Sequence, residues 1–178
     1  VFLSIGILAI LAALKYTMGK NPYGYRGMGD IAVFFFFGLA GVAGTYFLHT
    51  NELTWHEFLP AISIGLLATG VLNLNNMRDE ENDRNSGKRS LVVIMGQKKA
   101  KIYHSFLIIG AIVSAITFTL LHYHSAYQFL FLMAVPMLLQ NIITVIRNDQ
   151  PSQLDVELKK LALATLIFAV TMGIGLNY

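Results

Sequence analysis

The sequence predicts an all-α integral membrane protein. Three observations lead there: an apolar composition, long windows without charge, and confinement of every basic residue to alternate connections. Of 178 residues, 55% are hydrophobic and 13% charged, against roughly 25% charged in an ordinary soluble domain, and the mean hydropathy is +0.58. Windows 1–14, 31–51, 58–77, 102–146 and 161–178 contain no Asp, Glu, Lys or Arg. A bilayer core about 30 Å thick is crossed by about 20 apolar residues in a helix, so these windows supply single or double spans and one partial span. A soluble globular fold is excluded. Hydrophobicity on all sides argues for spanning helices rather than surface helices, and barrel-type alternation is missing. The net charge of +3 and pI near 9.2 do not point to nucleic acid, because so apolar a chain offers no continuous soluble basic face. Without cysteine, there is no disulfide or thiolate chemistry.

Taken in order, residues 1–14 read as a truncated helix. The chain opens Val1-Phe2-Leu3, with no Met and no basic stretch before the apolar run, and is expected to be the carboxyl-terminal part of a longer protein. A loop over 15–30 follows, then two helices within 31–77 (31–49 and 59–77), a charged loop over 78–101, and three helices within 102–178 (102–121, 126–146 and 161–177). The long charge-free window divides at His122-Tyr123-His124-Ser125, whose aromatic and polar groups suit an interface. Pro136 is expected to kink its span or face neighbouring helices. Gly38, Gly41 and Gly44, and Gly65 and Gly70, read as close helix packing.

Six helices need connections at 15–30, 50–58, 78–101, 122–125 and 147–160. The first, third and fifth hold all 13 Lys and Arg residues, which makes them cytoplasmic by the positive-inside rule. The other two carry Glu52, Trp55, Glu57, His56, His122 and His124, and these histidines, with His49 at the end of the helix before them, read as interfacial on the opposite side.

Chemistry is concentrated where the 59–77 helix enters the third connection. Asn75, Asp79 and Asp83 recur every four residues and share a face if the helix continues, with Asn76 on its flank. Amide and carboxylate oxygens suit a hard cation such as Mg²⁺, whose shell is commonly completed by substrate phosphates. Arg78, Arg84, Lys88 and Arg89 offer charge-assisted hydrogen bonds to phosphate oxygens, and Gly87 allows a close backbone turn. Amides in the last turn of a spanning helix are costly unless they face a cavity or a partner. The alternative to a site is a solvated, topology-setting loop.

Asn76-Met77-Arg78-Asp79-Glu80-Glu81-Asn82-Asp83-Arg84-Asn85-Ser86-Gly87-Lys88-Arg89-Ser90-Leu91 resembles the second aspartate-rich motif of the UbiA-type intramembrane prenyltransferases, in the form seen in their 1,4-dihydroxy-2-naphthoate polyprenyltransferase branch. Tyr16 to Asp30, then Phe36-Phe37-Gly38 and Gly44-Thr45-Tyr46, are similar to the preceding cytoplasmic loop and helix of that branch. The resemblance implies a nine-helix bundle around a central cavity, of which these helices are the last six. It implies a bacterial inner-membrane enzyme of menaquinone synthesis that joins a polyprenyl diphosphate to 1,4-dihydroxy-2-naphthoate with decarboxylation. It implies Mg²⁺ held by Asp79 and Asp83 with Asn76 and Asn75, and diphosphate held by Arg78, Lys88, Arg89 and Arg84. Tyr25, Arg26 and Asp30 fall in a loop expected to cap the site and meet the acceptor, although Asp30 also reads as a helix N-cap. The family's first aspartate-rich motif falls in the missing amino-terminal helices, so the chain alone is expected to be inactive. A reading from another class is a transporter or channel component whose Asn and Asp residues line a polar pathway.

Overall fold

A computed structural model describes residues 2–20 and 22–178; Val1 and Asn21, which belong to the predicted 1–14 and 15–30 segments, lie outside the described residues. All regular structure among the described residues is helical. Helix α1 (Phe2–Thr17) is about 24 Å long at 1.5 Å per residue, short of a full span. Five further helical stretches are long and apolar enough to cross a membrane: Gly29–Thr50, Trp55–Arg78, Gln97–Leu121, Ala126–Arg147 and Pro151–Leu176.

The first of these is continuous but changes character, from α2 (Gly29–Val33) through a π-helical stretch (Phe34–Ala43) to α3 (Gly44–Thr50). It crosses α4 (Phe58–Arg78) almost backbone to backbone. A Cβ on Gly38 would stand 2.6 Å from the Ala61 carbonyl oxygen, and one on Gly65 would stand 2.9 Å from the Phe34 ring. Small-residue packing therefore holds for Gly38 and Gly65. Gly44 has open space and Gly70 only an ordinary contact with Ile108, so those two are not packing glycines.

The third connection contains two short helices, α5 (Glu80–Asn85) and α6 (Leu91–Met95). Helix α7 (Gln97–Leu121) starts five residues earlier than its apolar window, because Lys98, Lys99 and Lys101 lie on its first turns. Its lipid side exposes Ile102, Phe106, Ile109, Val113 and Leu120, whereas Ala100, His104, Leu107, Ala111 and Ala115 are buried. The next span opens as a 3₁₀ helix (Ala126–Ala134) and becomes α8 (Val135–Arg147). Pro136 sits in the first turn of α8, where a missing N–H costs nothing. Helix α9 (Leu154–Leu176) begins well before residue 161, with Asp155 and Glu157 in the first turn, where acidic side chains complement the helix dipole.

Lipid tails are as apolar as leucine, so helices in a bilayer associate through packing and polar contacts. Here Phe131, Phe168, Leu67, Ile108 and Leu138 are fully buried, with the two aromatic rings 5.1 Å apart. Ser63 and Ser114 of α4 and α7 each donate to a carbonyl of the other helix at 2.8 Å. His104, buried in α7, lies 2.9 Å from the Asn141 Oδ1 of α8, and Asn141 donates to the Glu157 carboxylate of α9 at 3.1 Å. Lys101 donates to the carbonyls of Ile146 and Asn148 at the end of α8.

The first, third and fifth connections meet at one end of the bundle. Arg89 N–H donates to the Tyr25 carbonyl at 3.0 Å, and Arg78 reaches Asp155. At the other end, the His56 and His122 rings pack 4.5 Å apart beside Trp55 and Phe118, while His49 and His124 are exposed. The histidines predicted to be interfacial thus stand opposite the acidic loop.

Candidate functional site

The end of α4 delivers the amides and the start of α5 delivers the second carboxylate. The helix does not run straight through. It ends at Arg78, Asp79 takes φ −96° and ψ 7°, and α5 starts at Glu80. The four-residue backbone register nevertheless survives, since Asp79 N–H donates to the Asn75 carbonyl at 3.0 Å and Asp83 N–H to the Asp79 carbonyl at 2.8 Å. The single face expected from spacing is divided by the bend into two polar clusters.

In the first cluster, Arg78 binds Asp79 in a fork, Nε to Oδ1 and Nη2 to Oδ2, each at 2.8 Å. The same guanidinium donates to Asn75 Oδ1 at 2.9 Å and to Asp155 Oδ1 at 3.0 Å. Planar, bidentate pairing of this type is what arginine does best. Its hydrogen bonds and charge hold the Asp79 carboxyl below the ordinary carboxylate range. In the second cluster, Asp83 is 7% exposed. Lys88 Nζ lies 2.8 Å from Asp83 Oδ2 and 3.4 Å from Asn76 Oδ1. A tight turn returns Lys88 to Asp83: Gly87 takes a left-handed φ of 73°, which glycine adopts without strain, and Lys88 N–H donates to the Asp83 carbonyl at 2.8 Å.

The remaining predicted residues are distributed unequally. Arg84 turns outward and pairs with Glu80 at 2.6 Å. The Arg89 side chain is exposed, although its backbone binds Tyr25. Tyr25 and Arg26 are exposed on a 3₁₀ turn (Tyr23–Arg26). This turn is fixed against the third connection, where a Cβ on Gly27 would meet Ile94 at 2.8 Å. Asp30 is not the N-cap, a position held by Met28; it lies in the first turn of α2, buried to 4% exposure. Sequence reasoning missed Asp155 because the last helix was expected to begin at 161. It gave Tyr16 no role. Yet Tyr16 lies within electrostatic range of Asp30, Lys88 and Asp83 together, which places the first loop against the second cluster.

Two apolar cavities lie beneath these polar groups. One, of about 700 Å³, runs between α1 and the π-helical stretch, with Tyr16 and Tyr23 at its head and Ala13, Phe36 and Gly41 along it. The other, of about 460 Å³, lies between that span, α4 and α9 and has Asn75 among its lining residues. Val33, Phe37 and Leu72 line both. The arrangement suits an amphiphile with an anionic head and a long apolar tail.

Among the described residues, no three His, Cys, Asp or Glu side chains gather as a ready metal cage. The oxygen-only donors of Asp79, Asp83, Asn75 and Asn76 do suit a hard divalent cation that completes its shell from elsewhere.

Several known proteins are similar to this chain. A protein of Haemophilus influenzae described as 1,4-dihydroxy-2-naphthoate octaprenyltransferase is 43% identical over 98% of this chain and 57% of its own length. The Escherichia coli protein of the same description is 41% identical over the same shares, and that of Mycobacterium leprae is 30% identical over 95% of this chain and 56% of its own. The chain therefore spans somewhat more than half the length of these relatives. No solved structure matches it. The UbiA prenyltransferase family matches residues 1–164, nearly the whole chain, and it is to this family of multi-pass membrane proteins that the chain belongs.

Proposed function

We propose that this chain supplies the second half of the active site of a polyprenyltransferase that joins a polyprenyl diphosphate to 1,4-dihydroxy-2-naphthoate with decarboxylation, a step of menaquinone synthesis. The observation that carries the proposal is the gathering of oxygen donors and cations at one end of the bundle, with Asn75 among them lining an apolar cavity. The printed descriptions of the relatives supply the substrates. The amino-terminal helices of the same protein supply the other arm of the site, and the acidic loop faces the cytoplasm of a bacterial inner membrane.

In this reading, Asp79 and Asp83, with Asn75 and Asn76, hold Mg²⁺. The ion, when bound, stabilises charge on the departing diphosphate oxygens. Arg78 and Lys88 exchange a carboxylate partner for phosphate oxygens, and Arg89 adds a third cation from the rim; Arg84 faces away and contributes least. The cavities take the isoprenoid chain and keep water from the allylic cation. Tyr25 and Arg26 close over the aromatic acceptor. The ring carbon bearing the carboxylate forms the new bond to the allylic carbon, and carbon dioxide leaves.

The test is prenylation of dihydroxynaphthoate in membranes carrying the parent protein with its native flanking sequence. Asp79→Asn and Asp83→Asn are each expected to lower kcat at least about 100-fold, the scale of losing electrostatic stabilisation of a leaving group. If both variants retain wild-type turnover, the metal assignment is wrong.

A further inference from the structure

Asp30 is a buried carboxylate with a free valence. Its residue is 4% exposed and its Oδ1 has no hydrogen-bond partner, while Tyr103 of α7 lies close enough to interact with the carboxylate. An unsatisfied charged oxygen away from water is costly, and local structure does not demand it. Met28 already holds the N-cap of α2 without any side-chain bond. The position of Asp30 is informative. A Cβ on Gly29, its neighbour, would stand 3.0 Å from the Tyr16 hydroxyl, and Tyr16 interacts electrostatically with Asp30 as well as with Lys88 and Asp83. Asp30 thus stands beside Tyr16, which lines the larger cavity and interacts with the Asp83 cluster.

We propose that Asp30 receives the ring hydroxyl of the aromatic acceptor next to its carboxylate, and that Tyr103 is the positioning residue that aims it. This rests on the acceptor chemistry proposed above. The balance is closed. As a ring electron pair forms the bond to the allylic carbon, the hydroxyl proton passes to Asp30 and the ring oxygen becomes a ketone. The resulting β-keto carboxylate expels carbon dioxide, the electrons of that bond restore the aromatic ring as a naphtholate, and Asp30 returns the proton. No oxidant or further reactant is consumed.

The experiment uses the parent protein, with native flanking sequence, in membranes. Asp30→Asn is expected to lower kcat by about 100-fold or more, the usual scale for a lost general base, with the KM for the diphosphate donor unchanged. Asp30→Glu keeps the carboxylate and recovers part of the rate, and Tyr103→Phe lowers kcat by about tenfold, the scale of losing one polar contact to a charged group. Wild-type kcat in Asp30→Asn, equal losses in the Asn and Glu variants, or a raised donor KM each overturns the assignment. A wild-type protein that prenylates no dihydroxynaphthoate instead fails the function proposed above, which is a separate result.

Discussion

Asp79 and Asp83 are four residues apart and each is matched by a cation, yet the two pairs are built differently. Asp83 is nearly closed off, and its lysine comes from five residues away through a glycine turn. Asp79 retains 29% of its side-chain exposure, and its arginine is also held by Asp155, 77 residues further along the chain. Both pairs are made within a short stretch of chain, but only Arg78 is also tied to the last helix, through Asp155. The Asp83 pair is held by its own turn alone, whereas the Asp79 pair is braced from another helix, so that Arg78 has a second anchor on Asp155.

Breaking the Lys88–Asp83 pair should have the largest effect on stability. Lys88→Met leaves a buried, uncompensated carboxylate, which costs about 3–5 kcal/mol, and is expected to lower the Tm of the purified protein in detergent well below that of any change in the Asp79 cluster. Next comes Asp155→Asn. It removes the anchor that steadies Arg78, and an exposed ion pair of this kind is worth a factor of about five, expected as a rise in donor KM with kcat held. Equal effects on kcat would mean that Asp155 does more than steady Arg78.

The pH dependence follows from Asp79. Its folded-state carboxyl is held below the ordinary range by Arg78, so the pair contributes stability that is fully present above the ordinary carboxylate range and is lost as pH falls through the depressed value. Arg78→Met removes the cause, and the onset of acid unfolding is expected at higher pH than in the wild type. The smallest effect belongs to Arg84→Ala. Its side chain is 63% exposed, and the change should stay within about 0.5 kcal/mol of wild type with unaltered prenyl transfer.

The spans were legible because lipid demands apolar length and the few charges stand outside the windows. Helix starts were less so. Lys98 and Lys101 read as loop residues, yet they lie on the first turns of α7, where Lys101 binds the carbonyl end of α8. The residues of the acidic site were legible from the four-residue spacing of Asn75, Asp79 and Asp83. Their division into two clusters was not, because it depends on a bend at Asp79. Nor could spacing reveal Asp155 beside Arg78 or Tyr103 beside Asp30, since each pairing is created by helices brought together in the bundle.

The close crossing at Gly38 and Gly65 has a further consequence. With the two backbones nearly touching there, the space on either side is divided by Val33, Phe37 and Leu72, which line both cavities. Under the proposed function, the bulk of these three side chains sets how readily the apolar tail of the donor passes between the volume beside Asn75 and the volume beside Tyr16.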